Sequence, residues 1–360
     1  MRIVHGLHWS GGGIVNFIDL LLSNINTPDI EHHVVILNSD MASNHQLRNK
    51  SISYSFLGFE NNQISGLIRF VKIIKSIKPD IFHAHSFLPG VIGRLFSSEK
   101  TICIATIHNE YPHYTNNSCR NKFKLKLEYK SLKRSCKAVV CVSESVRQRA
   151  NDAMPGLPFE VINNGIQLGM MRDASTQQKK EYLTILSLGR LDEQKGYDVL
   201  LEAFSILHKK GIKAYLRIVG EGSLRPTLEA KAKELGIDKK VFMPGFSQNP
   251  ISELSNADMY VCSSRYEGLS LATAEAMAFG LPLITTNVGG VALMVHNGVE
   301  ARVVPMNNPV ALAYAIIEFI ENPCVRFHMS VAGREFARKN FDIRNTSRSY
   351  EMLYKRLLKN

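Results

Sequence analysis

No stretch of this chain approaches the roughly 18 to 20 consecutive apolar residues that a membrane-spanning helix needs, so the sequence predicts no transmembrane segment. Its first residues, Met1-Arg2-Ile3-Val4-His5, are too short and too polar for a secretory leader. The expectation is a cytoplasmic protein that is soluble or peripheral on the inner membrane's cytoplasmic face. The six cysteines, Cys103, Cys119, Cys136, Cys141, Cys262 and Cys324, contain no C-x-x-C pair and no zinc-like spacing. Several lie in apolar strand-like runs and read as buried free thiols in a reducing compartment. No Asp-x-Asp triplet, low-complexity segment or short repeat occurs. Acid is also scarce: 32 Asp and Glu against 44 Lys and Arg leave a net charge of +12. That excess points to anionic partners, whether nucleic acid, anionic lipid or phosphorylated small molecules.

What is present is an ordinary globular composition, 45% hydrophobic and 21% charged, over 360 residues, long enough for two domains. Met1 to Gly6 reads as a buried strand. A glycine loop, Ser10-Gly11-Gly12-Gly13, follows it, and Ile14, Phe17, Ile18, Leu21 and Leu22 then recur at helical spacing. Strand, glycine loop and helix open a doubly wound α/β unit with free amides at the helix start; a tight turn without a ligand is the competing reading. Asp80 to His85 reads as a strand with His83 and His85 on one face. The two suit a metal or, the favoured reading, a hydrogen-bonded pair at a strand end, since no nearby carboxylate or cysteine completes a metal site. His108 follows the apolar strand Thr101 to Ile107, at the end where open α/β sheets bind ligands. Arg120 to Lys137 carries eight cations against the single acid Glu128, with Phe123, Leu125, Leu127, Tyr129 and Leu132 interleaved. It reads as either a solvated helix face or a patch for anionic lipid. No nucleic-acid module accompanies the charge, so nucleic acid is not an expected partner.

The alternation restarts at Tyr182, after a stretch from Ile166 to Glu181 without clear periodicity. We divide the chain into 1–165, a linker 166–181, a second domain 182–339 and a terminal helix 340–360. Arg190 and Lys195 stand in one loop between a strand and a helix, an arrangement that grips a diphosphate. Glu267 and Glu275 are eight positions apart, about 80° on a continuous helix, so they do not share a helical face. The better placement puts Glu267 in a loop at a strand's carboxyl end and Glu275 early in the next helix, both turned to one cleft. Gly268 allows close backbone approach, and the amides of Leu269, Ser270 and Leu271 lie free near the helix start. Carboxylates suit sugar or ribose hydroxyls. A phosphate grip with hydroxyl acceptors describes a nucleotide-sugar site, and without Asp-x-Asp the positive charge must come from Arg190 and Lys195.

The segments GRLDEQKGYDVLLEAF, VINNGI, CVSES, HAHS, VGEG and EGLSLATAEAMAFG resemble the retaining glycosyltransferases of family 4, of bacterial O-antigen, capsule and lipopolysaccharide type. The resemblance spans nearly the whole chain and is densest from Gly189 to Gly290. It implies the GT-B fold: two Rossmann-like doubly wound α/β domains across a cleft, the last helix crossing back to the first. It implies Arg190 and Lys195 on the donor diphosphate, Glu267 on the donor sugar, Glu275 on the ribose, Gly12 and Gly13 in a loop over the diphosphate, and His108 lining the sugar site. Transfer retains the anomeric configuration with no metal and no cofactor beyond the nucleotide sugar. The implied partners are a nucleotide-diphosphate sugar (a UDP-sugar first, GDP-mannose next) and a polyprenyl-diphosphate-linked or other lipid-linked glycan. The chain departs from the family pattern at Leu293, where a glutamate is common, and at Ala301, where a glycine is common. Two other classes compete: a non-catalytic membrane-associated GT-B scaffold, which needs none of Arg190, Lys195, Glu267 and Glu275, and a Rossmann dehydrogenase, which leaves the second half unexplained.

Overall fold

The computed structural model describes residues 1–9, 13–25, 27, 29–38, 52–59, 61–109, 118–169 and 181–359. Gly12 and most of the expected linker, 170–180, lie outside them. The chain forms two compact units, residues 1–166 with 343–360, and residues 167–342.

The first unit is a seven-stranded sheet: β1 (Arg2–Trp9), β2 (Glu31–Asn38), β3 (Ser53–Phe56), β4 (Ile81–Ala84), β5 (Ile102–Ile107), β6 (Cys136–Cys141) and β7 (Phe159–Val161). Their order is β3-β2-β1-β4-β5-β6-β7, and every neighbouring pair is parallel. Runs such as Val34-Val35-Ile36-Leu37 are buried throughout, as a parallel sheet covered on both faces demands. Each such side chain contributes about 1.5–3 kcal/mol of burial. The covering helices are α1 (Gly13–Ser23), α2 (Gln63–Ile77), α3 (Phe87–Phe96), α4 (Cys119–Ser135) and α5 (Glu144–Ala153). Sequence signals end them where expected: Lys78 caps α2 in the left-handed conformation before Pro79, and the Ser143 hydroxyl accepts from the Val146 amide at the start of α5. The basic segment departs from expectation at its end, because Cys136 and Lys137 belong to β6 rather than to the helix.

The second unit holds β8 (Leu183–Leu188), β9 (Ala214–Val219), β10 (Val241–Gly245), β11 (Met259–Cys262), β12 (Leu283–Thr286) and β13 (Arg302–Val304), in the parallel order β10-β9-β8-β11-β12-β13. Its helices are α6 (Tyr197–Lys209), α7 (Arg225–Glu234), α8 (Pro250–Asn256), α9 (Leu271–Phe279), α10 (Gly289–Met294), α11 (Pro309–Glu321) and α12 (Pro323–Asn340). Both sheets reverse direction once, at β1/β4 and at β8/β11. Those switch points open a crevice at the strands' carboxyl ends, where doubly wound sheets bind ligands.

The last helix, α13 (Ile343–Lys359), belongs to the first unit. It is separate from α12: the chain breaks at Phe341-Asp342, inside the span expected as one terminal helix. Ile343, Thr346, Ser347, Tyr350, Leu353 and Tyr354 form its buried stripe, and the Ser347 hydroxyl donates to the Leu21 carbonyl at 3.1 Å. All six cysteines are free thiols; Cys103, Cys141 and Cys262 are buried in strands, while Cys119 and Cys324 are exposed in the first turn of a helix. No helix among the described residues is long and apolar enough to cross a membrane.

Candidate functional site

The switch point of the second sheet gathers the charged candidates. After β8 the chain turns through Gly189 and Arg190 into a single 3-10 turn, Glu193–Lys195. After β11 it runs as Ser263-Ser264-Arg265-Tyr266-Glu267. The two loops are laced together: the Arg265 amide donates to the Gln194 carbonyl at 2.7 Å, and the Ser263 hydroxyl to the Lys195 carbonyl at 2.8 Å. Gly196 makes this approach possible. It sits at φ +61, and a Cβ there would lie 2.3 Å from the Ser263 carbonyl oxygen.

Lys195 Nζ and Glu267 Oε1 meet at 2.5 Å, with side chains 17% and 9% exposed. Glu267 also accepts from the Ser264 hydroxyl at 2.8 Å and from Gln194 Nε2 at 3.3 Å. Burial alone would push the Lys195 ammonium down, but the adjoining Glu267 carboxylate more than reverses this and holds it above its ordinary value. The lysine is therefore charged, and two of its three N–H donors have no acceptor among the described residues. Its stem crosses Gly189, where a Cβ would stand 2.8 Å from Lys195 Cε. Gly289, at φ +76, leaves room for the Glu267 side chain in the same way: a Cβ there would lie 2.3 Å from Glu267 Cβ.

Arg190 stands apart from that pair. Its side chain is 75% exposed and reaches Asp192 at 3.4 Å. Glu275 lies at mid-helix in α9 rather than early in it. Among the described residues nothing hydrogen-bonds or pairs with its carboxylate, and burial raises its pKa from 4.5 to about 7. At the start of α9 the amides of Leu269, Ser270 and Leu271 have no acceptor among the described residues, while the Gly268 carbonyl accepts from the Gly290 amide at 2.6 Å. Three residues that sequence reasoning missed hold this site. Gln194 and Ser264 seat Glu267. Arg265 ties the loops, bonding Asp198 at 2.7 Å, the Glu193 carbonyl at 3.0 Å and Asn307 at 2.9 Å. Ser264 and Arg265 follow a strand closely, a weak signal, and nothing in the sequence marks Gln194.

In the first unit Gly13 is the opening residue of α1, and His108 is buried just past β5. Burial lowers the His108 pKa to about 3 and keeps the ring neutral. His83 and His85 do share a face, as period two dictates, but they are not bonded to each other: their rings lie 4.1 Å apart, and each bonds other partners. A third histidine, His5, reaches them from β1, which spacing within one strand could not reveal.

Helix α4 turns its only acid inward. Glu128 is 6% exposed and Leu132 buried, while Phe123, Leu127, Lys130 and Arg134, at successive helical spacings, line one exposed stripe flanked by Lys126 and Lys133.

Two family models match this chain: "Glycosyltransferase Family 4" over residues 11–169 and "Glycosyl transferases group 1" over residues 172–336. An uncharacterised 41.2 kDa protein of the cps region of Klebsiella pneumoniae is 25% identical, covering 99% of both chains. The lipopolysaccharide core biosynthesis glycosyltransferase LpsD of Rhizobium meliloti is 23% identical over 99% of this chain and 98% of its own. Among solved structures, Anabaena HepE in complex with UDP and glucose superposes with a TM-score of 0.83 at 17% identity, covering 99% of each chain. The two parallel sheets, the terminal helix returned to the first unit and these matches together place the chain in glycosyltransferase family 4, with the GT-B fold.

Proposed function

We propose that the protein is a retaining, metal-independent hexosyl- or N-acetylhexosaminyltransferase acting in cell-surface polysaccharide synthesis. The observation that carries this reading is Glu267, fixed by Lys195, Gln194 and Ser264 and followed in the chain by three amides that, like the Glu275 carboxylate, have no partner among the described residues. Lys195 and Arg190 take the donor diphosphate. Among the described residues the lysine keeps two donors free and Arg190 has only a long contact to Asp192, so its recruitment costs little. The amides of Leu269, Ser270 and Leu271 add neutral donors at a helix start, and Gly268 keeps the backbone open beside them. Glu267 accepts from the donor-sugar hydroxyls and Glu275 from the ribose, where hydrogen bonding to the ionised form offsets the burial of its charge.

As the anomeric carbon–oxygen bond breaks, charge builds on the diphosphate and the grip of Lys195 and Arg190 tightens, which lowers the barrier. The acceptor hydroxyl adds on the same face and passes its proton to the departing phosphate oxygen. A UDP-sugar is the favoured donor, in line with the UDP and glucose held by HepE, with GDP-mannose next. The cps-region and lipopolysaccharide relatives support a polyprenyl-diphosphate-linked or other lipid-linked glycan as acceptor. The α4 stripe suits an anionic inner-membrane surface, with Phe123 and Leu127 seated among cations on the cytoplasmic face.

A panel of UDP-, GDP- and ADP-sugars tests the reading: at least one should bind or be turned over, and flat binding across the panel would refute it. With that donor, Lys195→Ala and Glu267→Ala are each expected to lower turnover about 10²-fold or more, and chelator should leave it unchanged. Anomeric NMR of the product decides retention. Phe123→Glu should weaken binding to vesicles containing phosphatidylglycerol at low salt; equal binding by the variant would assign the stripe to solvent.

A further inference from the structure

The first sheet carries a row of histidines joined head to tail, the Nδ1 of each ring against the Nε2 of the next. His32 Nδ1 lies 3.1 Å from His5 Nε2, His5 Nδ1 lies 3.1 Å from His85 Nε2, and His85 Nδ1 lies 3.1 Å from His108 Nε2. The parallel register produces this. Ile3 pairs with His32 and Ile81, and His5 pairs with His83, so His5 and His32 in β1 and β2 and His85 and His108 just past β4 and β5 come together at one end of the sheet. All four rings are at most 8% exposed, and burial holds each below the ordinary histidine pKa, so each carries a single N–H at neutral pH.

Four neutral imidazoles hold four protons, and three hydrogen bonds use three of them. The fourth must sit at one end of the row. With every proton on Nδ1, the spare N–H is at His108 Nδ1; with every proton on Nε2, it is at His32 Nε2. Any mixture leaves one contact with two protons or with none. The two ends differ: among the described residues His32 Nε2 is a buried atom with no hydrogen-bond partner, and His108 Nδ1 is not such an atom. A buried N–H without an acceptor is the rarer and costlier defect, and a bare lone pair the milder one. The row therefore settles with every proton on Nδ1.

A metal site is the competing use of these rings, since nitrogens of His5, His83 and His85 come within 4.8 Å of one another. Both nitrogens of His83 are already engaged, Nδ1 with the Tyr354 hydroxyl at 2.9 Å and Nε2 with the Thr106 hydroxyl at 2.7 Å. His5 and His85 spend theirs within the row. A cation would have to break several hydrogen bonds in a dry core.

We propose that His32, His5 and His85 are positioning residues that lock His108 with its proton on Nδ1, so that it offers a sugar oxygen a hydrogen-bond donor and never a base. The proposal rests on the reading of His108 as a residue of the sugar site. One consequence is that the acceptor's proton has no route into the protein here and leaves with the diphosphate.

Long-range proton–nitrogen NMR of the full chain labelled with [15N]histidine reads each tautomer directly. His108, identified by the signal lost in His108→Gln, is expected to carry its proton on Nδ1. His32→Glu puts an acceptor at the far end of the row and should reverse it, moving the His108 proton to Nε2 across three hydrogen bonds. His32→Leu supplies no acceptor and should leave the tautomer as it was. His85→Phe removes the partner of His108 Nε2 and should give mixed tautomers. The reversed variant should lose roughly tenfold in kcat/KM with whichever of UDP-glucose, UDP-N-acetylglucosamine and GDP-mannose is turned over. A wild-type His108 protonated on Nε2 overturns the proposal, and this spectrum decides even where a variant fails to fold. Failure of a folded His32→Glu to move the proton overturns it too, as does stoichiometric zinc whose removal shifts the His5, His83 and His85 signals. If the tautomers behave as expected but His108→Gln turns over donor at the wild-type rate, the row stands and the sugar-site reading of His108 falls.

Discussion

The carboxyl ends of the two sheets make an instructive pair. Both sheets are parallel and both reverse at a switch point, yet they bury polar groups by opposite means. The first unit uses neutral rings: five histidines, His5, His32, His83, His85 and His108, are buried and satisfied largely by one another and by hydroxyls. The second uses charge: Lys195 is held against Glu267, and Glu275 sits half-buried with no partner among the described residues. Neutral donors and acceptors can be buried once their bonds are made, at little electrostatic cost. Buried charges remain expensive even when paired, and are kept where a ligand gives them work. The contrast assigns orientation to the first rim and charge stabilisation to the second.

The sharpest way to break that contrast is acid. The unfolded chain takes up histidine protons near pH 6.5, while the folded rings resist, His32 down to about 4 and His83 and His108 to about 3. Their depressed pKa values mean that stability is intact above 6.5 and is lost as pH falls below it. Five such rings cost about 7 kcal/mol per pH unit once the unfolded state is protonated, so the first unit is expected to unfold by about pH 5. The sole tryptophan, Trp9, lies in β1, and its fluorescence against pH reports this unit alone. A flat signal down to pH 4 would refute the neutral-ring account.

A smaller effect is expected from unpairing the second rim. Lys195→Met leaves the Glu267 charge buried and should cost about 3–5 kcal/mol, much of which Lys195→Met with Glu267→Gln should restore. Denaturant unfolding of the two variants measures this, and equal midpoints would mean that the pair is not desolvated.

Smallest is Glu275→Gln. Its folded pKa of about 7 lies above the ordinary 4.5, so the charge destabilises the fold as pH rises from 4.5 through 7 and fully above that. Removing it should raise stability at pH 8 by up to about 3 kcal/mol and leave pH 4 unchanged, the reverse of the first unit's response. Thermal unfolding at the two pH values checks the sign, and donor affinity should fall in the same variant.

Much of this was legible in the residues. Asn308-Pro309 opens α11 with the Asn308 side chain accepting from the Ala311 amide, and Ser143 caps α5, because caps and breakers act within one turn of chain. The Gly189–Gly196 and Glu267–Glu275 signals likewise survive in one dimension, since each lies on one loop or one helix. Gln194, Ser264 and Arg265 carried no such signal. Their roles depend on two loops 72 residues apart in sequence meeting at 2.7 to 3.3 Å.

By itself, then, the sequence determined the alternation of strands and helices, the glycine positions and the identity of the charged groups, all consequences of local sterics and periodicity. The tertiary structure decided which of those groups meet. Only strand register brings His5 and His32 to His85 and His108, and only the β8/β11 reversal sets Lys195 on Glu267. Hydrogen bonds and buried charges depend on distances of about 3 Å, and only the packed sheet sets those distances.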